Sequence, residues 1–293
     1  MSKVYVAGEA LIDLVDKSGQ YMTHVGGGPA NTAKALARLG LSSFFVGGIS
    51  VDEFGSLIES ELLGSGVDLS LSLRGSKRTA LANAAIDENG WTSYSFEFEG
   101  TTTFDFSLEW LPAGNPSVVH LGSLATLLEP GASELLSWVK GLSVPVIFDP
   151  NVRPSIMSDR DLYRAAVEKW VSVASVVKLS DEDLSWLYGD DEVGVVKRWL
   201  GDGVSAVVVT RGASGLRGYV GDVVIDAPAV SVDLVDTIGA GDTIGAVVVE
   251  GVVKFGLAGL GANLDAVLRR AALAASITCS RAGANPPWAR ELA

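Results

Sequence analysis

The sequence predicts an α/β fold, a three-layer α/β/α sandwich whose central sheet is mainly parallel. From residue 117 onward, short apolar runs typical of buried strands alternate with longer runs that have helical periodicity. Strands and helices that alternate in this way form parallel sheets covered by helices on both faces. The strand runs are residues 118–121, 144–149, 175–179 and 206–210, and the helical runs lie near residues 130–141, 159–174, 181–187 and 193–200.

Polar residues follow several of these predicted strands. Asp149, Ser180 and Thr210 fall at or just beyond three strand ends. Ligands of open α/β sheets bind outside the carboxyl ends of the strands. We therefore expect the functional site along this edge of the sheet.

The first hundred residues predict further strands and helices and a small second sheet. Apolar runs at residues 3–7 and 43–47 predict strands, and residues 56–64 have helical spacing. Two β-like runs, residues 80–87 and 92–98, flank an Asn89-Gly90 pair, which is a hairpin signal. Because polar and apolar residues alternate in the second run, the hairpin suits a sheet with one exposed face.

Composition excludes several classes of function. The chain has 293 residues, 48% hydrophobic, and a net charge of −13, which argues against nucleic acid and anionic membrane surfaces as partners. Cys279 is the only cysteine, so no intramolecular disulfide can form, as is typical of cytoplasmic proteins. The two histidines, His24 and His120, are not spaced for a zinc site with cysteine or aspartate.

No segment of the sequence is expected to enter a membrane. Glu9 and Asp13 interrupt the apolar N-terminal run, which no basic leader precedes, so a signal peptide is not expected. The most apolar stretch, residues 244–260, contains Glu250 and Lys254 and several glycines. This stretch predicts a buried core helix rather than a membrane span.

The most informative stretch is DTIGAGD at residues 236–242, just before a long run of small and apolar residues. Glycines let the backbone approach a ligand closely, and the N-terminus of a following helix favours a phosphate. Asp242 would then lie beside the bound anion, where a carboxylate can accept a proton from an attacking hydroxyl. Alone, the stretch fits equally well an aspartate-capped helix that binds nothing.

A second glycine cluster and four further motifs indicate a family. GGGPANTA at residues 26–33 precedes ALARLG at residues 35–40, a helix ending at a C-cap glycine. The other motifs are GEALID at residues 8–13, GISVDEFG at 48–55, FDPNVRP at 148–154 and TRGASG at 210–215. In this order, and over nearly the whole chain, the sequence resembles the ribokinase-like sugar kinases, the phosphofructokinase-B-type family.

The resemblance implies one kinase domain over residues 1–293, with a small β lid over the sugar formed by segments near residues 13–25 and 78–106. It implies ATP and Mg²⁺ as cofactors, a cytoplasmic enzyme, and in many relatives a homodimer that pairs through the lid. A non-catalytic sugar or nucleotide sensor on the same scaffold remains the alternative, because fold does not fix function. A dinucleotide-binding dehydrogenase is excluded, because Gly26-Gly27-Gly28 is not the required glycine pattern after the first strand.

The resemblance assigns catalysis and sugar binding to named residues. Asp242 becomes the catalytic base, with the backbone N–H groups of Gly239, Ala240 and Gly241 as an anion hole. Asp13, placed at the end of the first strand, would hydrogen-bond sugar hydroxyls. The remaining sugar contacts are Gly27, Gly28 and Asn31.

Three further residues bear on the sugar. Arg153 offers a planar donor fork, in a motif similar both to fructokinases and to 2-keto-3-deoxygluconate kinases, whose arginines meet a substrate carboxylate. An ion pair with a neighbouring acid is the alternative. Phe96 and Phe98, on the predicted lid, either cover the sugar ring or form the core of the lid. The resemblance favours fructose, phosphorylated to fructose 6-phosphate, ahead of 2-keto-3-deoxygluconate and ribose.

The nucleotide side is assigned in the same way. Ser180, Thr210, Gly212, Gly215 and Asn285 are the predicted nucleotide contacts. Asp183 stands where many relatives carry a glutamate that organises Mg²⁺ through water, and Glu182 is its substitute. Asp236 either orients the loop before Gly239 or helps bind a monovalent cation such as K⁺.

Overall fold

The computed structural model describes residues 2–17, 20–86 and 92–293. In chain order the strands are β1 (Lys3–Ala7), β2 (Leu11–Lys17), β3 (Gln20–Gly26), β4 (Ser42–Val46), β5 (Gly48–Ser50), β6 (Leu73–Gly75), β7 (Leu81–Ile86), β8 (Thr92–Glu97), β9 (Val118–Gly122), β10 (Val146–Asp149), β11 (Val176–Ser180), β12 (Ala206–Thr210), β13 (Leu216–Val220) and β14 (Val223–Ala227). The α-helices are α1 (Gly28–Arg38), α2 (Glu53–Gly64), α3 (Gly131–Lys140), α4 (Arg160–Val171), α5 (Asp181–Tyr188), α6 (Glu192–Gly201) and α7 (Ala240–Cys279).

Within these described residues, eight strands form the central sheet, in the spatial order β14–β13–β12–β11–β10–β9–β1–β4. The pairs from β4 to β12 are parallel, and β13 and β14 are added antiparallel at one edge. The antiparallel edge was not predicted. Its turn, Gly221-Asp222 with Gly221 at φ 55°, is a hairpin signal that the sequence did contain.

Helices cover both faces of this sheet. Side chains of α1, α2 and α7 share one core cluster with Val4 and Val6 of β1. Side chains of α3, α4, α5 and α6 share another with Tyr5 and Ala7. Because successive residues of a strand point to opposite faces, β1 contributes to both layers. The predicted three-layer sandwich with a mostly parallel sheet is confirmed.

Helix α7 carries the most apolar stretch of the chain. Among the described residues it is the one helix long and apolar enough to cross a membrane by length and composition, although half of its most apolar window is buried within the fold. It packs against α1, β13 and β14, and Gly256, at φ 67°, breaks it into two helical parts. A buried core helix passes the same length and composition test.

A second sheet stands apart from the central one. Of the described strands, β3, β2, β7 and β8 form it in that order, with β2 and β7 parallel and the other pairs antiparallel. We call this sheet the lid. The predicted Asn89-Gly90 turn lies outside the described residues, but β7 and β8 pair on either side of it, from Ile86 opposite Thr92 to Leu81 opposite Glu97.

The sequence placed Asp13 at the end of the first strand, and this prediction is wrong. Strand β1 ends at Ala7, and the chain leaves the central sheet at Gly8, whose φ of 150° favours glycine. Asp13 is the third residue of the lid strand β2. The motif GEALID therefore spans the exit from the central sheet and the start of the lid.

Candidate active site

The loop before α7 and the first turn of α7 lie at the centre of the candidate site. Gly239 has a left-handed conformation, at φ 76°, and a Cβ there would lie 2.6 Å from Cβ of Ala284. A glycine is therefore required on both counts. α7 begins at Ala240, whose N–H donates to the carbonyl oxygen of Thr237 at 3.2 Å. The next N–H groups of this first turn, those of Gly241 and Asp242, have no partner within the helix and can bind an anion.

Asp242 lies in the first turn of α7 and faces α1. Its Oδ2 accepts a hydrogen bond from Nδ2 of Asn31 at 2.9 Å. Burial of the carboxyl group raises the pKa of Asp242 to about 6, against the opposing effects of Lys178 and of the Asn31 hydrogen bond. A carboxylate with such a pKa is ionised at neutral pH and basic enough to accept a proton.

Asn31 is bound to Asp242 through its amide nitrogen and is only 6% exposed. Its Oδ1 is buried and finds no hydrogen-bond partner among the described residues. Buried polar atoms normally have a partner, so this oxygen is placed to accept a hydrogen bond from a ligand. The position agrees with the predicted role of Asn31 in sugar binding.

The glycines of the first cluster bring the backbone against Asp13 and Asp242. A Cβ at Gly28 would lie 2.8 Å from Nδ2 of Asn151 and 3.2 Å from Oδ1 of Asp242. Gly27 has φ 104°, and a Cβ there would lie 2.5 Å from the carbonyl oxygen of Glu9. These contacts bring the first glycine cluster and the DTIGAGD loop into one site.

Two strained residues lie beside Gly28. Among the described non-glycine residues, Ser123 at φ 57° and Asn151 at φ 43° are the ones with positive φ. A Cβ at Gly28 would be 3.6 Å from Cβ of Ser123 as well as close to Asn151. Backbone strain of this kind concentrates at functional sites. Neither residue was predicted, because nothing in a single sequence marks a positive φ at serine or asparagine.

The inner face of the lid carries the predicted sugar contacts from β2 and β8. In register, His24, Asp13, Ala82 and Phe96 are neighbours across the sheet. Burial raises the pKa of Asp13, and the charges of His24 and Arg153 oppose this shift. Asp13 and Phe96 therefore share one face of the lid.

Phe96 and Phe98 pack together, with ring centroids 5.3 Å apart. Phe98 continues to Phe104, at 5.2 Å, and joins the cluster at the base of the lid around Leu11 and Leu124. The two aromatic residues thus differ. Phe98 belongs to the lid core, and Phe96 is free to meet a ligand beside Asp13.

Arg153 follows β10 and is exposed. One nitrogen of its guanidinium donates to the carbonyl oxygens of Asn151, at 3.2 Å, and Val152, at 2.9 Å. The charge of Arg153 acts on both Asp13 and Asp242. The predicted alternative, a direct ion pair with a neighbouring acid, is absent among the described contacts of Arg153.

A buried charge pair lies under the loop, and of its two members the sequence pointed only to Asp149, at a predicted strand end. Nζ of Lys178, on β11, is 2.7 Å from Oδ2 of Asp149, at the end of β10. His120, on β9, is also buried, with neither ring nitrogen hydrogen-bonded in the described structure, and burial lowers its pKa to about 4. The sequence did contain one signal for the buried charge pair, namely a lysine within the otherwise apolar run of β11.

Glu9 is a second buried acid that was not predicted. Its Oε2 accepts a hydrogen bond from the backbone N–H of Ala125 at 3.0 Å. Burial raises the pKa of Glu9 to about 7, although hydrogen bonds from Ser123 and the backbone oppose this shift. Glu9 thereby supports the strained turn at Ser123, next to Gly28.

A large cavity opens on the other side of the loop. It has a volume of about 720 Å³ and is lined by four predicted nucleotide contacts, Ser180, Thr210, Gly212 and Gly215. Ala240 and Gly241 also line it, as do apolar side chains of α7 and of the segment before the loop, among them Val230, Val232, Leu234, Ile244, Ala272 and Ala275. The cavity therefore extends from the N-terminus of α7 along an apolar wall.

Asn285, the fifth predicted nucleotide contact, is not among the residues that line this cavity. Its Oδ1 accepts a hydrogen bond from Arg38 at 2.6 Å, next to a second bond from Arg38 to the carbonyl oxygen of Pro286. The arginine of α1 binds the C-terminal segment in this way. The structure therefore shows Asn285 bonded to Arg38, and its predicted contact with a nucleotide stays a prediction.

Asp183 caps a helix. Its Oδ2 accepts from the N–H of Ser180 and its Oδ1 from the N–H of Val152, both at 3.1 Å, while Oγ of Ser180 accepts from the N–H of Asp183. This capping box holds the start of α5. Glu182, the predicted substitute, is exposed and lines the cavity.

Asp236 binds the loop to the C-terminal segment. Its Oδ1 accepts from the N–H of Ile238 at 3.0 Å and its Oδ2 from the N–H of Gly283 at 2.8 Å. These bonds favour the first predicted role of Asp236, orienting the loop. In the described parts of the chain, no cluster of three or more histidine, cysteine, aspartate or glutamate side chains could hold a metal ion.

Comparison with known proteins gives one consistent result. A sequence model described as pfkB family carbohydrate kinase matches residues 1–290. A fructokinase of Rhizobium leguminosarum bv. trifolii is 33% identical over 251 residues, which cover 82% of this chain and 76% of that protein. A fructokinase of Escherichia coli is 32% identical over 268 residues, with 87% and 86% covered.

Solved structures agree. The structure of a Xylella fastidiosa fructokinase with bound ATP superposes with a TM-score of 0.88 at 26% identity, covering 99% of this chain and 96% of that one. A Vibrio cholerae fructokinase with fructose, ADP and a calcium ion has a TM-score of 0.84 at 26% identity, covering 97% and 94%. The motifs, the fold and the family match together establish that this chain belongs to the pfkB family of carbohydrate kinases.

Proposed function

We propose that the protein transfers the γ-phosphoryl group of ATP to the C6 hydroxyl of fructose, giving fructose 6-phosphate. The observation that carries this proposal is the position of Asp242. On one side of it lies a cluster of polar groups from the lid and the first glycine cluster, and on the other lies a large cavity lined by Ala240 and Gly241. Fructokinases from several organisms are among the chain's relatives, which favours fructose over other sugars.

The chemistry required of this site is modest. Asp242 takes the proton of the sugar hydroxyl as its oxygen attacks the γ-phosphorus in line. The N–H groups of Gly239, Ala240 and Gly241 stabilise the charge on the transferred group. Asn31, Gly27 and Gly28 position the sugar, and the lid excludes water.

Mg²⁺ fits this arrangement as an ion carried on ATP. Mg²⁺ commonly keeps several waters and binds one or two carboxylates together with substrate phosphates. Glu182 is exposed at the cavity and would hold the ion, directly or through water, while Asp183 keeps α5 in place. When bound, Mg²⁺ offsets the negative charge of the phosphates. Both carboxylate oxygens of Asp236 accept backbone N–H groups. For this reason we do not propose its side chain as a ligand of K⁺.

Arg153 favours a second candidate substrate. It is exposed near Asp13, with part of its donor fork still available for a substrate carboxylate. A sugar acid such as 2-keto-3-deoxygluconate is therefore the alternative, ahead of ribose. We also propose that residues 1–293 act as one cytoplasmic kinase domain with sugar and ATP as its partners. Pairing of two lids in a homodimer stays a prediction that light scattering on the purified protein can test.

The deciding experiment is ADP release with MgATP and fructose, 2-keto-3-deoxygluconate, ribose, glucose or adenosine. We expect strong turnover with fructose and weak turnover with the others. Preference for the keto acid would instead assign Arg153 to its carboxylate. If none of these substrates were phosphorylated while ATP still bound, the result would favour the non-catalytic sensor.

The matched variant is Asp242→Asn, which removes the base but keeps the side-chain shape. We expect kcat to fall by about a thousandfold or more, with sugar and ATP binding largely retained. Asp202→Asn, an exposed aspartate at the end of α6, is the control and should behave as the wild type. A D242N enzyme with wild-type turnover would refute the assigned base.

A further inference from the structure

Lys178 is an unusual residue for the interior of a central strand. It is 5% exposed, on β11 in the middle of the sheet. Lysine is almost never fully buried unless its charge is paired, because desolvating an ammonium group is costly. A charge kept there at such a cost requires an explanation beyond packing.

Its partner fixes where the ammonium group stands. Nζ of Lys178 is 2.7 Å from Oδ2 of Asp149, which is itself only 4% exposed. Oδ1 of Asp149 accepts from the N–H of Asn151 at 3.1 Å, so the same carboxylate also holds the strained turn beside Gly28. The ammonium is thus attached to the part of the scaffold that shapes the sugar pocket.

The second neighbour of the Lys178 ammonium group is the first turn of α7. A Cβ at Gly241 would lie 3.0 Å from Nζ of Lys178, and in the described structure no other atom beyond its chain neighbours and its own helix backbone comes within 4 Å of that position. The ammonium therefore lies directly against the backbone of Gly241. Gly241 is one of the anion-hole residues and precedes Asp242.

The electrostatics agree with this placement. Burial alone would lower the pKa of Lys178, but Asp149, and after it Asp242 and Asp183, raise it above its ordinary value. Of the effects that oppose the raised pKa of Asp242, Lys178 is the largest, followed by Asn31, with a smaller contribution from Arg153. Asp149 acts on Asp242 in the opposite direction, and His120 is neutral at the pH of catalysis.

We propose that Lys178, held by Asp149 against Gly241, is a positioning residue for phosphoryl transfer: its fixed positive charge supports the anion hole and keeps Asp242 ionised. This inference rests on the proposed function of the same site. It adds to the backbone N–H groups a full charge that needs no reorganisation during the reaction. It also agrees with a glycine at residue 241, since a Cβ there, 3.0 Å from Nζ, would push the ammonium group away by a few tenths of an ångström.

The test removes both charges, with Lys178→Met and Asp149→Asn in one protein. The single change K178M would leave Asp149 buried and unpaired, which is strongly destabilising, whereas the double change leaves no unpaired charge. Since Lys178 acts on Asp242 more strongly than Asp149 does, the net effect is a higher pKa of Asp242. We expect the acid limb of kcat/KM to move up by about one pH unit and kcat above that limb to fall by about thirtyfold to a hundredfold.

A charge-conserving variant separates charge from structure. Lys178→Arg keeps a positive charge but places a larger group against Gly241. We expect its acid limb to stay at the wild-type pH, while its kcat falls. As a control, Arg270→Met with Glu250→Gln removes an ion pair within α7, with bonds of 2.7 and 3.1 Å. This control should lower stability and leave the pH profile unchanged.

A second readout does not depend on turnover. With ¹³C-carboxyl-labelled aspartate, and D242N to assign the signal, the titration of Asp242 can be followed directly in each protein. We expect it to move up in the double variant and not in K178R or the control. An unchanged titration in a folded double variant would overturn the inference even if the enzyme phosphorylates fructose. A wild type that phosphorylates no sugar would refute the proposed function, while the titration would still decide the role of Lys178.

Discussion

The two sides of the first turn of α7 and its N-cap, residues 239–242, are built on different physical principles. On the sugar side, glycines are approached closely by polar groups, and buried charges and an unpaired amide oxygen surround Asp242. On the nucleotide side, a cavity of about 720 Å³ is lined largely by small and branched apolar side chains. Gly212, at that cavity, has no atom within 4 Å of an added Cβ in the described structure.

This difference indicates where selectivity arises. A site that hydrogen-bonds its ligand rejects analogues strongly, because mismatched ligands leave buried polar groups unpaired, whereas an apolar pocket discriminates only weakly. We therefore expect the sugar side to be intolerant of small changes and the nucleotide side to be tolerant. Single substitutions on each side can break or sharpen this comparison.

The largest effect is expected from Gly28→Ala. Its added methyl group would lie 2.8 Å from Nδ2 of Asn151 and 3.2 Å from Oδ1 of Asp242, within the proposed sugar site. We expect kcat/KM for fructose to fall by about a hundredfold or more, as misplacements of about 1 Å do. Steady-state kinetics with varied fructose at saturating ATP measures the loss.

Gly212→Ala is the partner experiment on the nucleotide side. The position has φ 50° but open space, so only a backbone cost of about 1–2 kcal/mol is expected. Activity should change by no more than a few-fold. If G28A and G212A lost equal activity, the contrast between the two sides would be wrong.

The next largest effect is expected from Ala275→Leu, which places a larger side chain in the nucleotide cavity. Ala275 lines the cavity from α7 and is half-buried. We expect KM for ATP to rise by about tenfold, roughly the effect of overpacking by one or two kcal/mol, while KM for fructose stays unchanged. Ala262→Leu, an exposed position on the same helix, is the control. A rise in KM for fructose would show that the two pockets are not separated by the loop.

The sequence predicted the fold better than the polar scaffold beneath the first turn of α7. Glycine motifs and strand–helix alternation depend on local rules, so the layers and most strand ends were found within a few residues. The roles of Lys178, Asp149 and Glu9 depend on neighbours that only folding brings together, because the groups opposing each charge come from other strands. Asp183 shows the reverse case. The motif predicts a water-mediated metal contact, which stays a prediction, and the structure adds a capping role, because both oxygens accept backbone N–H groups.

The last test concerns stability instead of activity, and it asks whether the polar groups on the sugar side are costly to maintain. The pKa of Glu9 is about 7 in the folded protein, above its ordinary value of 4.5, so the folded state holds a proton that the unfolded chain releases. Stability from this group is fully present below about pH 4.5 and is lost as pH rises to about 7, by roughly 3 kcal/mol.

Glu9→Gln keeps an acceptor for the N–H of Ala125 and removes this loss. Urea unfolding at pH 5 and pH 8 should therefore show a smaller decrease for E9Q than for the wild type, while Glu109→Gln, at an exposed site, should match the wild type. If the free energy of unfolding decreased equally in all three proteins, Glu9 would be ionised in the folded state without cost. The polar groups on the sugar side would then be well satisfied, and this side would not be costly to maintain.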